Sequence, residues 1–145
     1  MFKHILVPID GSEAAQSAVD KAAGLAKAFG SAITVIYVID PYPFTGLGSD
    51  FAYGQAEYLS AASAEATQAT KTAMQTLTQA GLKAKSQVVE EHGAWRGILE
   101  SAKSLDCDLI VMGSHGRHGL EKVVLGSVAQ RVLSHAHIPV MVVRD

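Results

Sequence analysis

Five short runs of strand character alternate with four segments of helical periodicity, and that alternation leaves the chain few ways to fold. The runs are residues 5–9 (ILVPI), 32–39 (AITVIYVI), 83–90 (KAKSQVVE), 108–112 (DLIVM) and 140–143 (VMVV). Between the first two, Ala15, Val19, Ala22, Ala26 and Phe29 recur at helical spacing, with Ser12 as N-cap and Gly30 as the stop. Residues 55–80 form a helix-prone stretch with a modest stripe of Leu59, Ala66, Ala73 and Leu77, closed by Gly81. Trp95, Ile98, Leu99, Ala102 and Leu105 make the third apolar face, and Val128, Val132, Leu133 and Ala136 the fourth. Strands that alternate with helices pair in parallel, joined by right-handed crossovers, with helices on both faces. The expectation is a single doubly wound α/β domain over residues 1–145, its five-stranded sheet in the order 3-2-1-4-5.

Composition removes several other classes. A chain of 145 residues with 48% hydrophobic and 18% charged residues has ordinary globular makeup. No apolar run approaches the ~20 residues that span a bilayer, and the N-terminus enters a strand without a signal-peptide pattern. A net charge of −2 offers no broad basic face for nucleic acid. The lone Cys107 has no internal disulfide partner and precedes a buried strand, so it reads as an inert small hydrophobe in a reducing, cytoplasmic setting. His135 and His137 fall at a helix end, where an imidazole meets the dipole favourably.

Chemistry concentrates at two strand-to-helix turns. Asp10-Gly11-Ser12 follows the first strand, and residues 113–127 (GSHGRHGLEKVVLGS) follow the fourth. In a doubly wound sheet, ligands sit beyond the carboxyl ends of the strands where the order reverses. If strands 1 and 4 are neighbours there, the two turns share one crevice. The second turn carries Gly113, Gly116 and Gly126, which can bring backbone close to a ligand or take φ > 0. His115, Arg117, His118 and Lys122 face a single acid, Glu121, so the loop is locally positive. Ser127 and Gln130 form a capping box opening the last helix, whose N-terminus favours an anion. Neither G-x-x-x-x-G-K-[ST] nor G-x-G-x-x-G is present, so phosphate binding and a purely structural loop both remain open on the residues alone. Residues 41–54 (PYPFTGLGSDFAYG) read as a connector, with a flap over a ligand as the sharper alternative. His115 and His118 lack the further ligands that a zinc site needs.

Five separated blocks together resemble the universal stress protein family: residues 5–12 (ILVPIDGS), 38–40 (VID), 109–116 (LIVMGSHG), 125–129 (LGSVA) and 139–143 (PVMVV). Gly113, Gly116, Gly126 and Ser127 match that family's Gly-x-x-Gly-nine-Gly-Ser/Thr pattern, which marks its ATP-binding branch. The resemblance implies an adenine-nucleotide alpha-hydrolase-like fold and a cytoplasmic homodimer. It also implies a role in stress response and regulation through protein partners the sequence leaves unspecified. It implies ATP, or AMP or cyclic AMP, with Mg²⁺ accompanying the nucleotide. Asp10 would hold the ribose or a phosphate-bound Mg²⁺, and the Val38 backbone would read the adenine edge. The amides of Gly113, Gly116, Gly126 and Val128, with the amide and hydroxyl of Ser127, would hold sugar and phosphates. Pro8, Met112, His115 and Arg117 complete the expected contacts. One departure is Gly93-Ala94-Trp95, where relatives often carry Gly-x-Pro; the turn is expected to lie away from the phosphate loop. No catalytic constellation stands out, so at most slow hydrolysis is expected. The alternatives are a slow Mg²⁺-dependent nucleotide phosphohydrolase and a nucleotide-free interaction protein. The apolar run 140–143 ends the chain as an unguarded edge, and a two-fold copy pairing along it would cover it.

Overall fold

Nine elements follow one another in the computed structural model, which describes residues 1–41, 49–116 and 125–144. They are β1 (His4–Ile9), α1 (Glu13–Phe29), β2 (Ala32–Ile39), α2 (Ser49–Gln79), β3 (Ala84–Glu90), α3 (Ala94–Ser104), β4 (Leu109–Gly113), α4 (Ser127–His135) and β5 (Val140–Val143). All strands pair in parallel in the order β3-β2-β1-β4-β5, as the alternation requires. Among the described residues, no helix is long and apolar enough to cross a membrane.

Side chains alternate across each central strand, so two separate cores form. Ile5, Val7, Ile33, Val35, Leu109 and Val111 point to the face covered by α1 and α2. Leu6, Ile36, Ile110 and Met112 point to the face covered by α3 and α4. Ile5, Leu6, Ile36 and Ile110 are fully enclosed, each stabilising by about 1.5–3 kcal/mol. These two interiors, more than the exposed β3 ladder, hold the sheet together. The small residues of α1 (Ala15, Ala18, Ala22, Ala26) let that helix lie close to the strands. The sparse stripe of α2 suffices because Ala66, Ala73 and Leu77 are all buried.

Helix boundaries show where local signals compete. Ser12 caps α1 as expected, its Oγ accepting from the Ala15 N–H at 3.1 Å, and Gly30 ends it in the left-handed conformation at φ 69°. α2 begins at Ser49 rather than Gln55, so the last six residues of the expected connector are helical; residues 42–48 lie outside the described residues. Gly54 does not break it, since a helical glycine costs only about 1 kcal/mol. The Tyr58 hydroxyl, donating to the Asp40 carbonyl at 2.9 Å, ties this helix to the end of β2. The capping box expected at Ser127 does not form. Gly126 is the N-cap, its carbonyl accepting from Gln130 N–H, while the Gln130 amide donates to Leu125 O at 2.7 Å. Burial and the charges of Asp108 and Asp106 push the Cys107 thiol up to about 11, so it stays protonated at neutral pH.

Candidate functional site

Because β1 and β4 are neighbours where the strand order reverses, the turns that follow them meet. Between them lies a cleft of about 410 Å³, within the range of small-molecule sites. β1 and its turn contribute Pro8 and Asp10; the end of β2 contributes Val38. β4 and its loop contribute Met112, Gly113, His115 and Gly116, and the start of α4 contributes Gly126, Ser127 and Val128. Ten of the residues expected from the sequence thus line one space. Arg117, with His118, Glu121 and Lys122, lies outside the described residues.

Each of the three glycines has a packing role of its own. None of Gly113, Gly116 and Gly126 has a positive φ. A Cβ on Gly113 would lie 2.8 Å from the carbonyl carbon of Ala14, so this glycine lets α1 press against β4. A Cβ on Gly116 would lie 2.6 Å from Asp10 Oδ2, so this one makes room for the carboxylate. Gly126 packs on His115, 3.1 Å from Cα to its hypothetical Cβ. Its N–H, expected to face a ligand, instead donates to Ser114 O at 2.7 Å and fastens the head of α4 to the tip of β4. Helix geometry leaves the Ser127 and Val128 amides without intrahelical partners, and the exposed Ser127 is not a cap.

Asp10 performs its turn and faces the cleft at once. Its Oδ1 accepts from the Ser12 N–H at 2.9 Å, an Asx turn, while Oδ2 is the oxygen nearest Gly116. Gly11 between them sits at φ 85°. Among the described lining residues Asp10 is the only carboxylate and none is a Lys or Arg. Ser114, not among the residues expected to line the site, is 1% exposed. Its hydroxyl hydrogen-bonds His115 Nδ1 at 3.1 Å and so orients the ring.

Sequence reasoning also missed the far wall. Tyr37, Ala94 and Ile98 line the cleft. Gly97 lets α3 approach the end of β2, since a Cβ there would lie 2.8 Å from Val38 Cγ1. The Gly93-Ala94-Trp95 turn does not lie apart from the phosphate loop as expected: Ala94 shares the cleft with Ser127, and the Trp95 ring packs 4.6 Å from that of His135 on α4. Periodicity placed Ile98 on the apolar face of its helix, but nothing local signals which element α3 meets.

The family profile described as Universal stress protein family matches residues 1–144. The chain belongs to that family. Universal stress protein MJ0531 of Methanocaldococcus jannaschii is 38% identical over 145 residues, covering 99% of this chain and 83% of that protein. The solved structure of universal stress protein UspA from Lactobacillus plantarum has a TM-score of 0.87 at 29% identity, covering 98% of this chain and 97% of that one. The universal stress protein from Archaeoglobus fulgidus in complex with dAMP has a TM-score of 0.68 at 22% identity, covering 98% of each chain, a likeness of fold.

Proposed function

We propose that this universal stress protein domain is a regulatory module that binds an adenine nucleotide in the cleft between the ends of β1 and β4. One observation carries the reading. Segments far apart in sequence, each expected to touch nucleotide, converge on a single cleft of about 410 Å³. The adenine stacks against Val38 with its edge on the β2 backbone, and the ribose hydroxyls donate to Asp10. The phosphates meet the head of α4, where unpartnered amides and the helix dipole favour an anion. Asp10 is the one carboxylate of the described walls, and Mg²⁺ usually combines one or two carboxylates with the phosphates themselves. The residues therefore fit a cation that arrives with the nucleotide, ATP in preference to AMP or cyclic AMP. The dAMP complex of the A. fulgidus relative supports an adenine ligand.

Calorimetric titration tests this reading. The protein binds ATP, and Asp10→Ala weakens that binding about tenfold or more by removing a charged acceptor. No heat from ATP, AMP or cyclic AMP with the wild type would leave only the nucleotide-free interaction protein.

The cytoplasmic assembly we propose is a homodimer. β5 lies at the sheet edge with Met141 37% exposed, and a second copy pairing along it about a two-fold axis would cover it. Sedimentation at micromolar concentration gives the dimer mass, and Met141→Lys shifts it toward monomer; a wild-type monomer refutes this assembly.

A further inference from the structure

A second cavity of about 300 Å³ adjoins the cleft. The two share Ala94, Ser127 and Val128, so they meet at the first turn of α4. Trp95, Arg96 and Arg131 supply its other principal walls, with His92 at the edge. Trp95 gathers the cations: the Arg96 guanidinium carbon lies 5.1 Å from its ring centroid and that of Arg131 5.8 Å. One arginine comes from α3 and the other from α4. An aromatic ring attracts a guanidinium yet leaves its N–H fork able to bond elsewhere. Among the described residues, no carboxylate lies within salt-bridge distance of either arginine. Arg96 does lie in electrostatic reach of Glu100, one turn along α3. His92 is occupied differently, its Nδ1 lying 3.6 Å from an Asp40 carboxylate oxygen.

The cavity's chemistry complements that of the cleft's described walls. The described walls of the cleft offer one carboxylate and no Lys or Arg, whereas a triphosphate tail brings several negative charges. Guanidinium forks match phosphate oxygens in pairs, and the shared α4 turn already favours an anion.

The geometry points to Arg96 and Arg131, gathered by Trp95, as the seat of the distal phosphates of a nucleoside triphosphate whose base and sugar fill the cleft. These two arginines therefore make the site select ATP over AMP. The assignment rests on the nucleotide reading of the cleft, and its test separates the two.

ATP, AMP and inorganic tripolyphosphate are titrated into the wild type and an Arg96→Gln/Arg131→Gln double variant. Both side chains are exposed, so the double variant keeps its fold, checked by an unchanged Tm. The wild type binds ATP at least tenfold more tightly than AMP. The double variant loses at least tenfold for ATP while AMP stays within twofold, so the preference collapses. Equal wild-type affinity for ATP and AMP overturns the assignment while sparing the cleft. So does a double variant that leaves ATP unchanged or weakens both nucleotides alike. Tripolyphosphate that binds as tightly as ATP without displacing AMP also overturns it, because the cavity then serves a free polyphosphate. A wild type that takes up neither nucleotide defeats the cleft reading itself.

Discussion

Gly113→Ala lowers the stability of this protein by about 2–3 kcal/mol, roughly 10 °C in Tm, although the change adds a single methyl group. The added carbon would lie 2.8 Å from both the carbonyl carbon and the Cβ of Ala14, and 2.9 Å from its carbonyl oxygen. Those are atoms of the first turn of α1, and Ala14 is itself 1% exposed. No rotamer change relieves such a contact; the helix must move off β4 and open the core that holds Val111 and Ala18. Thermal denaturation followed by circular dichroism measures the drop. An unchanged Tm would show that α1 and β4 do not approach as closely as described.

Three residues further on, Gly116→Ala has the opposite signature. Its added carbon would lie 2.6 Å from Asp10 Oδ2 and 3.8 Å from Asp10 Cγ, and from no backbone atom within 4 Å outside its chain neighbours. The end of a side chain can swing away, so Tm stays within a few degrees. The displaced carboxylate then leaves the position proposed for the ribose, and affinity for ATP falls tenfold or more. Parallel calorimetry and melting of the two alanine variants separate the roles. A Gly116→Ala protein that binds ATP as the wild type does would remove Asp10 from the proposed site. Two glycines of one motif thus carry different burdens, one for the packing of the sheet and one for the shape of the cleft.

The arginine cavity follows from a third close approach. Gly97 lets α3 settle onto Val38, and that brings the Trp95 turn beside α4. Trp95 and Arg96 are local neighbours in sequence, whereas Arg131 reaches the same ring from another helix. A turn expected to stand apart from the phosphate loop therefore borders it.

The order of elements was legible in the residues themselves. Strand-like runs of four to eight residues between helical stripes permit a parallel doubly wound sheet and little else, and the register of Gly113, Gly116, Gly126 and Ser127 pointed to the end of that sheet. Periodicity reports which side of an element is apolar, so the buried faces of α1, α2 and α3 could also be read. Tertiary structure alone decided what each glycine faces, that the Gly126 amide is spent on Ser114, and that Gly126 rather than Ser127 caps α4. It alone brought Arg96 and Arg131 to one ring. The reason is physical: backbone preference and hydrophobic period act over a few residues. A clash at 2.8 Å or a hydrogen bond at 2.7 Å is set by the partner that distant packing delivers.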